Sequence, residues 1–239
     1  MPYIKEICKA GKTIEIRKYH TYRYDCKGEK RQKKKKDTTE CQKKVNYRIS
    51  ERNLRRLMNA NFEDGDFLVT FDFIKENRPS NSKSMQDVMK KFLRVLRKEI
   101  RKIEGTLKYI YVKEIGKRGA VHVHMIMTKC DTKILRKCWI WGGIHIDPLY
   151  TNGQYSKIAS YFVKYAQKSE ETEGELVGKR YYTSRDLVRP VVVKRVMKGN
   201  TFTNVVNLKQ GYYIDKENTM EGITEDGYRY LMCTMVRAG

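Results

Sequence analysis

The chain has 239 residues, and 51 Lys and Arg against 28 Asp and Glu leave a net charge of +23, with a pI near 9.7. A charge of that size holds a protein on polyanions and makes the binding salt-dependent. Membrane attachment explains it less well. No apolar run approaches the ~20 residues needed to cross a bilayer and no signal-peptide pattern opens the chain, so a cytoplasmic protein is expected.

In chain order, residues 1–44 read as a basic arm containing the solvated charge run of residues 27–36. Residues 45–60 suggest a basic helix with Leu54, Leu57 and Met58 on one side. An apolar strand follows at 67–73. Ser84 and Asp87 are expected to cap a helix that runs to Glu104, buries a stripe from Met85 to Ile103 and ends at Gly105. Residues 107–115 and 120–127 read as two strands joined by Gly116-Lys117-Arg118-Gly119, an antiparallel hairpin. A short strand at 144–146 and a helix at 157–168 complete the pattern. Residues 169–178 look like a linker. Beyond it, Lys179-Arg180-Tyr181-Tyr182-Thr183-Ser184-Arg185 interleaves cations with aromatics, a pattern that can grip single-stranded DNA by stacking and phosphate contact.

The order β-α-β-β-(β)-α predicts an α+β fold, a central antiparallel sheet with helices packed on one face and basic extensions at both ends. The expected division is an arm and helix at 1–62, a core at 63–168, and a C-terminal segment at 169–239 that completes the core or contacts DNA. The six cysteines lack a Cys-x-x-Cys pair, so reduced thiols are expected, with Cys8, Cys26 and Cys41 open to a metal knuckle.

The chemistry gathers in the hairpin and the last helix. His122 and His124 are two of four histidines, and on a strand residues two apart share a face. Two imidazoles on a rigid strand make a metal site at little ordering cost. With a loop at 117–119, Glu114 lies across from His122 and adds a carboxylate; a slip of one residue would turn it to the other face. Downstream, Tyr161 and Tyr165 share a helix face, each followed three residues later by a lysine, Lys164 and Lys168. A phenol of pKa about 10 attacks phosphate well only when a cation stabilises its phenolate.

A strand with His-apolar-His, a glutamate eight residues earlier and a Tyr-x-x-Lys helix resemble the HUH endonuclease superfamily. Within it the chain is most similar to rolling-circle replication initiators, and the two tyrosines resemble the phage type. The apolar strand at 67–73 matches a further family motif, and the resemblance covers roughly residues 65–190. It implies a ferredoxin/RRM-like core, Mg2+ or Mn2+ on His122, His124 and Glu114, and attack by Tyr161 or Tyr165 assisted by Lys164 or Lys168. The product would be a 5′-phosphotyrosine and a free 3′-OH. Lys117, Arg118, Lys179, Arg180, Tyr181, Tyr182 and Arg185 would contact DNA. The implied partners are single-stranded DNA at a replication origin, a host helicase and a polymerase, in a bacterial cytoplasm. The alternatives are a plasmid relaxase, a single-strand transposase, or a non-enzymatic RRM-like module that stacks bases on Phe71, Phe73, Tyr109 and Tyr111.

Overall fold

The computed structural model describes residues 1–22, 24, 38–116, 120–171 and 180–238. The charge run at 27–36 and residues 172–178 of the expected linker lie outside the described residues, while residues 169–171 of that expected linker are helical. In chain order the elements are β1 (Tyr3–Ala10), β2 (Thr13–His20), α1 (Glu40–Asn59), β3 (Phe67–Asp72), α2 (Ser82–Lys102), β4 (Tyr109–Ile115), β5 (Val121–Met127) and α3 (Thr132–Cys138). They continue with β6 (Ile144–Pro148), α4 (Ser156–Glu171), β7 (Tyr182–Thr183), β8 (Val192–Met197), β9 (Tyr212–Ile214), β10 (Met220–Ile223) and β11 (Arg229–Arg237). These make an α+β protein of two antiparallel sheets and, among the described residues, four α-helices. No described helix is long and apolar enough to cross a membrane.

Two compact units divide the chain. One comprises Asn61–Thr151 and Lys157–Val188; the other comprises Met1–Ala60, Asn152–Ser156 and Arg189–Gly239. The first holds the sheet β6-β3-β5-β4-β7. Val69, Phe71, Tyr109, Tyr111, Val123 and Met125 stand on one sheet face by the two-residue period, and they pack on Met89, Phe92 and Leu96 of α2 and on Trp139. Phe71 lies 4.9 Å from Phe92 and 4.7 Å from Trp139, ring centre to ring centre. The cap of α2 is Asn81 rather than Ser84 or Asp87. Asn81 Oδ1 accepts from Ser84 N at 2.9 Å, and Ser84 Oγ accepts from Asn81 N at 3.1 Å. The reciprocal pair satisfies two orphan donors at once, so the helix starts one turn earlier than expected. α3 was not anticipated; seven residues carry too little periodicity to stand out.

The expectation that the helices lie on one face is corrected. α2 and α3 cover the face of Phe71, while α4 brings Tyr161 and Tyr165 against His124 on the opposite face.

In the second unit the sheet order is β10-β11-β2-β1-β8, with β9 also on β11. Residues 3–20, expected as part of a basic arm, are instead a hairpin at the middle of this sheet. Its charges have buried partners. Glu15 accepts from Arg55 at 2.6 Å and from Arg56 at 2.7 Å, and Glu6 accepts from Arg56 at 2.8 Å, with all four side chains 7% exposed or less. Gly11 makes the turn at φ +54, where a Cβ would stand 1.8 Å from the Asn59 carbonyl oxygen. Of residues 45–60, expected to be helical, all but the C-cap Ala60 fall inside the longer α1. The C-terminal strands β8 to β11 build this second sheet, and β7 alone joins β4. Cys8, Cys41, Cys130, Cys138 and Cys233 are free thiols, and Cys26 lies outside the described residues.

Candidate active site

The hairpin register brings three strands into line. Asp72 of β3, His122 of β5 and Glu114 of β4 are direct cross-strand neighbours, and Thr70 is the neighbour of His124. Side chains directly opposite in a sheet are close enough to bond. His122 Nδ1 lies 2.6 Å from Asp72 Oδ1, His124 Nδ1 lies 3.1 Å from Thr70 Oγ1, and His124 Nε2 lies 2.9 Å from Glu114 Oε2. A carboxylate only accepts, so His122 Nδ1–H donates to Asp72, which leaves Nε2 as the ring nitrogen turned to a ligand. By the same logic His124 Nε2–H donates to Glu114 and Nδ1 accepts from the Thr70 hydroxyl. Burial pushes the His124 pKa below its usual value, against the opposing pull of Glu114, so the ring is neutral at neutral pH.

α4 covers the histidines. The Tyr165 ring stacks on His124 at 4.3 Å and 5°, Tyr161 meets His124 edge-on at 5.9 Å, and the two tyrosine rings are 4.1 Å apart. Tyr161 is 46% exposed, whereas Tyr165 is half-buried. Lys164 is exposed on the same helix. The side chain of Lys168 lies outside the described residues, as do Lys117, Arg118 and Lys179.

The structure therefore brings Glu114 to His124, and His122 to Asp72. Among the described residues, no three His, Cys, Asp or Glu side chains converge on one point for a metal. The donor chemistry nevertheless suits a divalent cation of the Mg2+ or Mn2+ kind: two imidazoles and carboxylates on one rigid face. The 2.9 Å between His124 Nε2 and Glu114 Oε2 is near the roughly 3 Å that separates adjacent ligands held ~2.1 Å from one ion.

Thr70 and Asp72 are functional candidates that the sequence reading passed over. Their signal was present: two polar residues, two apart, on the otherwise apolar strand 67–73. The Asp72 backbone is also fixed, because its N–H donates to Gly143 O at 2.9 Å and its carbonyl accepts from Trp139 Nε1 at 3.1 Å. Gly142 allows that approach; a Cβ there would sit 2.2 Å from the Asp72 carbonyl oxygen.

Among the expected DNA contacts, Tyr182 stacks on Tyr111 at 4.8 Å and 8°, with the Lys113 ammonium 5.0 Å from its ring. Arg180 and Tyr181 are half-buried and Arg185 is exposed. Phe71, Phe73, Tyr109 and Tyr111 are buried beneath α2 and α3, which leaves them no face for base stacking.

Residues 66–170 match the replication-associated protein ORF2/G2P family. The matched segment runs from just before β3 to the last turn of α4 and contains Thr70, Asp72, Glu114, His122, His124, Tyr161, Lys164 and Tyr165. It leaves out β7 and almost all of the second unit. No curated protein and no solved structure matches the chain.

Proposed function

We propose that this protein initiates rolling-circle DNA replication by nicking and rejoining single-stranded DNA through a 5′-phosphotyrosine, as an HUH endonuclease of the two-tyrosine type. The family match supports a replication-associated role, and the observation that carries the chemistry is the packing of Tyr161 and Tyr165 on His124. His122, His124 and Glu114 would hold Mg2+ or Mn2+, and Asp72 would fix the His122 ring. The cation, when bound, would polarise the scissile phosphate and offset its charge.

The more exposed Tyr161 is the first nucleophile in this reading. Lys164, one turn along the helix, stabilises its phenolate. The phenolate oxygen bonds to phosphorus, the bond from phosphorus to the 3′-oxygen breaks, and that oxygen takes a proton to become the 3′-OH primer. Tyr165 repeats the step at the next junction and lets the first linkage be resealed. Single-stranded DNA is the substrate, with a helicase and a polymerase supplied by the host.

The test is incubation of the full chain with origin-containing single-stranded DNA and Mn2+, read as a protein band shifted by covalent DNA. His122→Ala and His124→Ala should each abolish the shifted band while most DNA binding persists, because charge supplies affinity. Near-normal Mn2+-dependent nicking by both variants would overturn the metal assignment.

A further inference from the structure

The side of the sheet away from His122 and His124 carries a second concentration of cations. α2 buries Met85, Met89, Phe92, Leu96 and Ile100 along one stripe. Along another it presents Arg94, Arg97, Lys98, Arg101 and Lys102, at the i, i+3, i+4, i+7, i+8 spacing of one helix face. These five residues line a shallow cavity of about 560 Å3. Arg97 and Arg101 also line a larger one of about 730 Å3, together with Tyr109, Thr183 of β7 and Ser184 to Asp186 after it. Three arginines and one aspartate line it, together with Thr106 and Thr183.

Glu99 answers part of the charge, since it holds Lys102 at 2.6 Å and Lys137 at 3.9 Å. Arg94, Lys98, Arg101 and Arg185 remain exposed. A guanidinium cluster with hydroxyls beside it suits phosphate oxygens, which accept forked hydrogen bonds. The shape argues for a chain of phosphates over a single small anion. From residue 94 to 102 the stripe extends ~12 Å, the rise of three to four nucleotides in one strand, and it leads straight into the larger cavity.

We propose that this stripe and cavity bind the phosphodiester backbone of a DNA strand at a second site, on the sheet face opposite the histidines. The inference rests on the reading of DNA as the partner, but not on the nicking chemistry. Arg97 hydrogen-bonds to the Tyr109 hydroxyl and is left intact in the test, to spare the fold. The test variant of the full chain is Lys98→Ala/Arg101→Ala/Arg185→Ala, compared with the charge-matched Lys75→Ala/Lys133→Ala/Lys198→Ala at exposed positions off this stripe. Affinity for a mixed-sequence single-stranded oligonucleotide is read by fluorescence anisotropy across a sodium chloride series, without divalent metal.

The test variant should bind at least about tenfold more weakly at low salt. Its log K against log salt slope should be shallower by about 2, for three phosphate contacts at ~0.7 each. The charge-matched variant should stay close to the parent. Equal losses in both variants would reduce the effect to net charge and overturn the site. An unchanged slope would also overturn it, as would thermal stabilisation of the parent alone by inorganic phosphate with DNA affinity intact, the mark of a small-anion site. Because no cleavage is measured, failure of the nicking reading leaves this result standing, and the reverse holds too.

Discussion

At the residue scale, the arrangement divides labour among three strands. β5 carries the imidazoles, β4 supplies the carboxylate of Glu114, and β3 orients both rings through Thr70 and Asp72. Asp72→Asn keeps the size but loses the anionic acceptor for His122 Nδ1–H. Carboxylates that orient metal-ligating histidines typically contribute 10–100-fold in metal affinity or activity. The variant should therefore need about that much more Mn2+ to reach half-maximal nicking, with DNA binding unchanged; a superimposable Mn2+ titration would remove Asp72 from the site. The tyrosines separate by environment. Tyr165→Phe keeps the ring stacked on His124 and should retain the first cut, while Tyr161→Phe should lose it and only the double variant should lose every cleavage. Mass spectrometry of the trapped adduct decides: a 5′-phosphate on Tyr165 alone would reverse the order.

At the element scale, legibility followed the range of the interactions. The pairing of β4 with β5 was readable from a short turn bracketed by glycines, with the structure deciding between the register that puts Glu114 across from His122 and a slip of one residue, and the apolar stripe of α2 was readable from its own spacing. The hairpin β1–β2 was not. Its glutamates and lysines look like solvated charge until Arg55 and Arg56, some 40 residues downstream, arrive beneath it. Breaking such a buried network by removing one partner typically costs about 3–5 kcal/mol, so Glu15→Gln should lower the denaturation midpoint accordingly. The network also sets an acid limit. Burial pushes the Glu6 carboxyl up, but hydrogen bonding to Arg56 and the charges of Arg17, Arg56 and Lys194 outweigh it, leaving the pKa below 4.5. A depressed folded-state pKa contributes stability that is complete above the unfolded value and is lost as pH falls through the folded one. Stability should drop below pH 4.5, and Glu6→Gln should flatten that drop; identical pH profiles would show that Glu6 does not govern it.

At the scale of the whole molecule, neither unit is a continuous stretch of chain. β2 pairs on one side with β1 and on the other with β11, so Ile14 lies beside Met235. The sequence offered no sign of that closure, because strand partners far apart share no local pattern. Removing residues 189–239 would strip both flanking strands from the β1–β2 hairpin and leave two open edges. Such a truncation should aggregate, while a chain ending at 188 still contains every strand of the sheet that bears His122 and His124. Soluble, monomeric behaviour of the truncated chain in size-exclusion chromatography would refute this. The same connectivity imposes a timetable during synthesis. At 5–20 residues per second, on the order of ten to forty seconds separate the emergence of β2 from that of its neighbour β11. Every residue of the candidate site has left the ribosome before then, so the newborn protein holds those side chains before the sheet that carries its N-terminus can close.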